Sequence, residues 1–298
     1  MKPSEEQTVK VALPRIEHDR SGFCHLTDFY AALRACDSEL IEVDMSSCGW
    51  FDADMCSPLG AILYKLSRKL NEVRLTNIRP DVKKILCRNG FLLNYGEERL
   101  PDSYGTTIRY KRFDSKDDKD FTNYVERRLL GRAEIPRMSQ GLARKFRESV
   151  FEIFSNAVIH SQTQYGIFCC GQYFPKRHRI VLCISDLGIG IKTNIRKTLD
   201  LDLPDDKAIE WATTDRNTTK RGTIPGGLGL KLLKEFIAMN KGSIQIVSEK
   251  GYWGFLEGHV RQAVFNHRFP GTVVTIDINT ADTSSYKLSS EISEEDIF

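Results

Sequence analysis

The sequence has no run of eighteen apolar residues, so nothing in it is long enough to cross a bilayer as a helix. Its first residues, Met1-Lys2-Pro3-Ser4-Glu5-Glu6, lack the apolar core of a secretion signal. None of the eight cysteines stands in a CxxC pair, and most lie inside apolar runs. This argues against a zinc site and for buried, reduced thiols in a cytoplasmic protein. The chain has no internal repeat, no low-complexity tract and no GxxxxGK[ST] element, so it has no phosphate loop of the Walker form. An excess of one charge is also missing: the net charge of +3 does not indicate nucleic acid. What is present is an ordinary globular composition, 41% hydrophobic and 28% charged, over 298 residues, a length that suggests two domains.

The first hundred residues alternate strand and helix patterns. Leu40-Ile41-Glu42-Val43-Asp44-Met45 and Val73-Arg74-Leu75-Thr76-Asn77 read as strands. Phe29–Cys36, Leu59–Leu70 and Asp81–Asn89 read as helices. In the second, Leu59, Ile62, Leu63, Leu66 and Leu70 form one stripe; the third ends at Gly90 as a C-cap. The order predicts a parallel α/β sheet. Residues 101–138 are charged and interrupted, and read as a partly ordered linker with an edge strand at Thr106–Tyr110 and a helix at Phe121–Leu130.

In the second half, Glu148–His160 has helical periodicity, with Val150, Phe151, Phe154, Ala157 and Val158 on an apolar face. Glu152 and Asn156, four apart, share another face. Alone, such a pair is commonly a solvated surface feature. Tyr165–Gln172 and Arg179–Asp186 read as a hairpin whose second strand runs into Asp186-Leu187-Gly188-Ile189-Gly190. A carboxylate directly after a buried strand, then two glycines, suits a loop whose backbone must approach a ligand closely. The carboxylate can accept a hydrogen bond from an exocyclic amine. Gly226-Gly227-Leu228-Gly229-Leu230 leads into a helix, and the free N–H groups and dipole of such a helix start favour an anion. Strands follow at Ser243–Ser248 and Thr272–Ile278, separated by an aromatic insertion, Tyr252-Trp253-Gly254-Phe255-Leu256, read as a cap on the core.

Four boxes in this order, Glu152-Ile-Phe-Ser-Asn156-Ala157, Asp186-Leu-Gly188-Ile-Gly190, Gly226-Gly227-Leu228-Gly229 and Gly271-Thr272-Val273-Val274-Thr275-Ile276, resemble the GHKL (Bergerat) ATP-binding domain of gyrases, Hsp90, histidine kinases and MutL. The resemblance spans about residues 140–280. It implies ATP and Mg²⁺ as cofactors, with Asn156 as the metal ligand and Glu152 as the group that activates water. It implies that Asp186 binds the adenine amine, that Gly188 and Gly190 admit base and ribose, and that Gly226, Gly227, Leu228 and Gly229 wrap the phosphates. Thr275, in preference to Thr272, is expected beside adenine. Residues 192–225 would form the lid, with a helix at Asp205–Ala212, and Lys220 and Arg221 would reach the phosphates. The N-terminal segments, with Ser57-Pro58-Leu59-Gly60, resemble a STAS domain of the anti-sigma-factor antagonist type. In that comparison Cys56 occupies the phospho-acceptor position and Ser57 is only its neighbour, which favours a scaffold without phosphorylation.

The expected architecture is therefore α/β (α+β): a STAS-like domain over 1–100, a linker over 101–138, a Bergerat sandwich with a mixed sheet over 139–280, and a fraying tail over 281–298. A histidine kinase would need a helical hairpin carrying a phospho-accepting histidine, and gyrase-type proteins a following transducer domain; neither pattern is seen. Asn156-Ala157-Val158-Ile159-His160 is closest in style to the anti-sigma-factor serine kinases. The expected function is an ATPase or serine/threonine-kinase-like regulator acting on a protein partner or through homo-oligomerisation. The alternative is a non-catalytic, nucleotide-dependent switch.

Overall fold

The computed structural model describes residues 8–159, 163–214, 217, 228–282, 284–288 and 291. Its elements are β1 (Thr8–Ala12), α1 (Arg20–Leu33), β2 (Leu40–Asp44), α2 (Cys56–Ser67), β3 (Glu72–Thr76), α3 (Pro80–Arg88), β4 (Thr107–Phe113) and α4 (Asp118–Val125). Then follow α5 (Gln140–Ile159), β5 (Ile167–Phe174), β6 (Arg179–Asp186), α6 (Ile191–Leu199), α7 (Asp205–Thr213) and α8 (Leu228–Asn240). The last strands are β7 (Ser243–Ser248), β8 (Gly251–Leu256), β9 (His259–Val264) and β10 (Thr272–Asn279).

The fold is α/β. Strands β1-β2-β3 form a small parallel sheet, as the strand–helix alternation predicts. A seven-stranded sheet, β4-β5-β6-β10-β7-β8-β9, forms the centre of the molecule. It is antiparallel at every pairing, not mixed. The difference arises because β10 inserts between β6 and β7 and runs antiparallel to both.

Two faces of this sheet bury two different cores. Along β6 and β10, Ile180, Leu182, Ile184, Ile276 and Ile278 point to one face, where they pack with Phe146, Val150 and Phe154 of α5 and Leu233, Phe236 and Ile237 of α8. The alternate residues Cys183 and Val273, with Phe168 and Cys170 of β5, point to the other face and join the core of the N-terminal unit. There α2 lies between the small sheet and strands β5 and β6. This explains why its first half is buried all round rather than along one stripe. Leu70 does not belong to that stripe; it lies past the helix end, at φ +60°, and is 81% exposed.

Polar contacts also tie the two units. The Ala53 N–H donates to Gln172 Oε1 at 2.6 Å, and Gln245 Nε2 donates to the His18 carbonyl at 2.7 Å. His18 Nδ1 stands 2.9 Å from Asp52 Oδ2 and 3.4 Å from Asp54 Oδ1, with both carboxylates buried.

Three regions depart from the reading of the sequence. The expected linker is built into the main sheet: β4 is its edge strand, and Phe113, Phe121, Tyr124 and Leu129 are buried in the α5–α8 core. Phe121 stacks on Phe154 with ring centroids 4.2 Å apart. The edge strand and a helix expected within the linker are present; their packing into the main core is the difference. The aromatic insertion extends the sheet as the hairpin β8–β9 instead of capping it, and Trp253, at 1% exposure, is its central buried residue. The tail, expected to fray, returns to the core at Tyr286, which packs its ring 5.3 Å from Phe236 and accepts the Ser139 N–H on its carbonyl at 2.8 Å.

Candidate functional site

The site is organised by the end of β6. Residues of a strand alternate between faces, so Asp186 points to the same face as Ile180, Leu182 and Ile184, the face covered by α5 and α8. Its carboxyl is 4% exposed. Burial pushes its pKa up from 3.8 to about 7, against the hydrogen bonds of the Gly188 and Thr272 amides and the charge of Lys65. The Gly188 N–H donates to Asp186 Oδ1 at 2.7 Å, turning the chain back over the carboxylate. Near neutrality this group therefore passes between acid and carboxylate. A ligand that donates an N–H to it favours the carboxylate.

The surrounding glycines have structural causes. A Cβ on Gly271 would overlap the Asp186 carbonyl oxygen, so only glycine allows β10 to begin beside the end of β6. Gly190 has φ +85° and opens α6, and a side chain there would also run into Glu249. The loop is pinned by residues the sequence reading passed over. The Ile191 N–H donates to Ser248 Oγ at 2.8 Å, and Thr193 donates to Glu249 through its N–H at 3.0 Å and its hydroxyl at 2.8 Å. Glu249 thus places its carboxylate on the N-terminus of α6, where the helix dipole favours it. No local pattern gives this away, because the partners are more than fifty residues apart.

Thr275 does not join the site. It pairs opposite Cys183, faces the N-terminal unit, and its hydroxyl donates to Cys183 Sγ at 3.4 Å. Thr272 pairs opposite Asp186 and shares its face, with Oγ1 3.0 Å from Ser248 Oγ. The three-residue offset between two threonines on one strand reverses the face, so Thr272, and not Thr275, lies on the Asp186 face.

Glu152 and Asn156 lie on α5, both half-buried, on a helix that packs against α8 and β6. Among the described residues, no three His, Cys, Asp or Glu side chains converge as a metal cage. Leu228 and Gly229 form the start of α8, whose Leu230 packs on the same core as Val158 and Ile191. Val158 of α5, Ile191 at the start of α6 and Leu230 of α8 thus each pack against the core on this face of the sheet. Lys220, Arg221, Gly226 and Gly227 lie outside the described residues, as does His160.

The expected lid is not one long loop. Its first part folds as α6 and α7, the latter spanning the predicted helix, and α7 packs on β8 with Ala208 and Ile209 fully buried. The segment compared above with a phospho-acceptor is closed off. Cys56 and Ser57 are both 0% exposed. Ser57 Oγ donates to the Phe168 carbonyl at 2.9 Å and lies 2.7 Å from Ser185 Oγ. Gly60 serves packing: a Cβ there would meet the ring and hydroxyl of Tyr110.

No helix among the described residues is long and apolar enough to cross a membrane. No protein-family model matches the chain, and a search of curated proteins finds no match.

Proposed function

We propose that the chain binds Mg-ATP in the manner of GHKL proteins and couples nucleotide state to a protein partner. Asp186 carries the reading. It is a buried carboxyl at the end of a central strand, bracketed by Gly188, Gly190 and Gly271, on the sheet face that α5 covers. A buried acid kept near neutrality by its surroundings is a costly feature, and such groups concentrate at functional sites. An adenine amine is the donor that would return it to the carboxylate.

In this reading Thr272 supports the same end of the base. Asn156 is the residue that would hold Mg²⁺, through its amide oxygen. Glu152, one turn before Asn156, orients and deprotonates the attacking water or hydroxyl. The bound metal ion would neutralise the phosphate charge. The N-terminal unit acts as a STAS-like scaffold: its helix α2 is packed on the far side of the sheet from this site, and its phospho-acceptor position is buried.

The burial of Cys56 and Ser57 also supports a second reading, a switch whose output is partner binding or self-association, because the fused domain offers no substrate hydroxyl at that position. Turnover of labelled ATP separates the two. Phosphate release that Glu152→Ala abolishes while binding persists supports the ATPase, and label on a co-purified protein supports the kinase. Tight binding with neither supports the switch. No binding of Mg-ATP refutes the proposal.

A further inference from the structure

A cleft of about 450 Å³ opens where the segment after α3 meets β4 and the end of α4. Its lining includes Arg99, Arg109, Lys111, Arg127 and Arg128, with Asp120 the one acid among them. Hydrogen bonds fix the backbone at Arg109 and touch the Arg99 side chain. The Tyr124 hydroxyl donates to the Arg109 carbonyl at 2.6 Å, and Arg99 Nε donates to the Arg88 carbonyl at 3.5 Å. Arg127 and Arg128 stand on a π-turn, Glu126–Leu130, closed by the Gly131 N–H on the Glu126 carbonyl at 2.7 Å. Such wide turns recur at functional sites. Buried Leu129 anchors the turn and leaves both arginines exposed.

The charges in this cleft are not balanced. Asp120 is paired with Lys111 at 3.5 Å, and Glu126 is paired with Arg147. Among the described residues, none of Arg99, Arg109, Arg127 and Arg128 forms a salt bridge with a carboxylate. Slight desolvation, together with the like charges of Arg99 and Arg128, holds the pKa of the exposed Arg109 guanidinium below its ordinary value. Four exposed guanidinium groups thus line one cleft without a carboxylate partner, a local excess of positive potential that favours an anion.

We propose that this cleft binds a small ligand bearing two or more linked phosphate groups. The volume falls in the range of small-molecule sites. Guanidinium groups pair with phosphate oxygens bidentately. Linked phosphates supply three or four negative charges within that volume, whereas carboxylates would need three or four separate groups. The cleft joins residues that follow α3 with residues of β4 and the π-turn, so its ligand fastens the N-terminal unit to the edge of the main sheet. This site is separate from the proposed nucleotide site and does not depend on it.

The test is calorimetric titration of the full chain with inorganic tripolyphosphate, in a metal-free, chelator-containing buffer of low ionic strength. Wild type and Asn156→Ala are expected to bind alike, and Arg109→Gln/Arg128→Gln to bind at least tenfold more weakly. Both arginines are exposed, so the double variant is expected to keep the wild-type far-ultraviolet circular dichroism. Failure of wild type to bind, undiminished binding by the double variant, or loss of binding in Asn156→Ala alone would each overturn the proposal. So would binding of a single-stranded oligonucleotide that tripolyphosphate cannot displace.

Discussion

Replacing Asp186 by Asn should make the ligand-free protein more stable at high pH than at low pH relative to wild type. The wild-type carboxyl has its pKa raised from 3.8 to about 7 by burial. A folded-state value above the unfolded one means that the folded state holds the proton more tightly. Stability from this group is therefore fully present below the unfolded value of 3.8 and is lost as pH rises through about 7. Ionising the group in the folded state costs roughly 4 kcal/mol in total. Asn keeps an acceptor oxygen for the Gly188 N–H, which donates at 2.7 Å, and removes the charge. The stability gap between Asp186→Asn and wild type should widen in favour of the variant by roughly 2–3 kcal/mol between about pH 5 and pH 8, then level off. Urea unfolding of both proteins across that range measures the gap, and contributions from His18, Asp52 and Asp54 cancel between them. A gap that does not change with pH, or that narrows as pH rises, would refute the account of Asp186.

The same reasoning extends to ligand and packing. Because adenine's amine favours the carboxylate, ATP binding near pH 7 should release a fraction of a proton, seen as a buffer-dependent binding enthalpy that Asp186→Asn lacks. Gly271→Ala, whose new methyl would overlap the Asp186 carbonyl, should lose about 1–3 kcal/mol in thermal or urea unfolding. Ser57→Asp, which buries an unpaired charge against Phe168 and Ser185, should cost about 3 kcal/mol or more, and Ser57 in the folded protein should not be labelled by a serine kinase. Trp253→Ala, at the centre of the β8–β9 hairpin, should cost about 3–5 kcal/mol, whereas a chain in which that hairpin merely capped the sheet would tolerate it.

Elements with clean periodicity were legible in the sequence. The small parallel sheet, the α5 helix and the β5–β6 hairpin follow from apolar spacing alone. So does Asp186 at a strand end followed by glycines. What could not be read has physical causes. The face of Thr275 depends on strand register, which the chain fixes by pairing β10 with β7 and with β6, the latter some ninety residues away. Ser248 and Glu249 act through contacts made across the fold with Ile191 and Thr193. Within the expected linker over 101–138 the edge strand and a helix are legible, but not their docking on the main core, because their buried aromatics alternate with lysines, arginines and aspartates that face solvent. The surroundings of α2 were hidden for the opposite reason: a helix between two sheets buries most of its circumference, and an amphipathic template finds only one stripe.

Titration of the purified chain with Mg-ATP, against Asn156→Ala and Asp186→Ala, tests the central claim most directly. The account predicts saturable binding by wild type, loss of the Mg²⁺-dependent part of the affinity in Asn156→Ala, and loss of adenine discrimination in Asp186→Ala. Equal binding of Mg-ATP by all three proteins would contradict it.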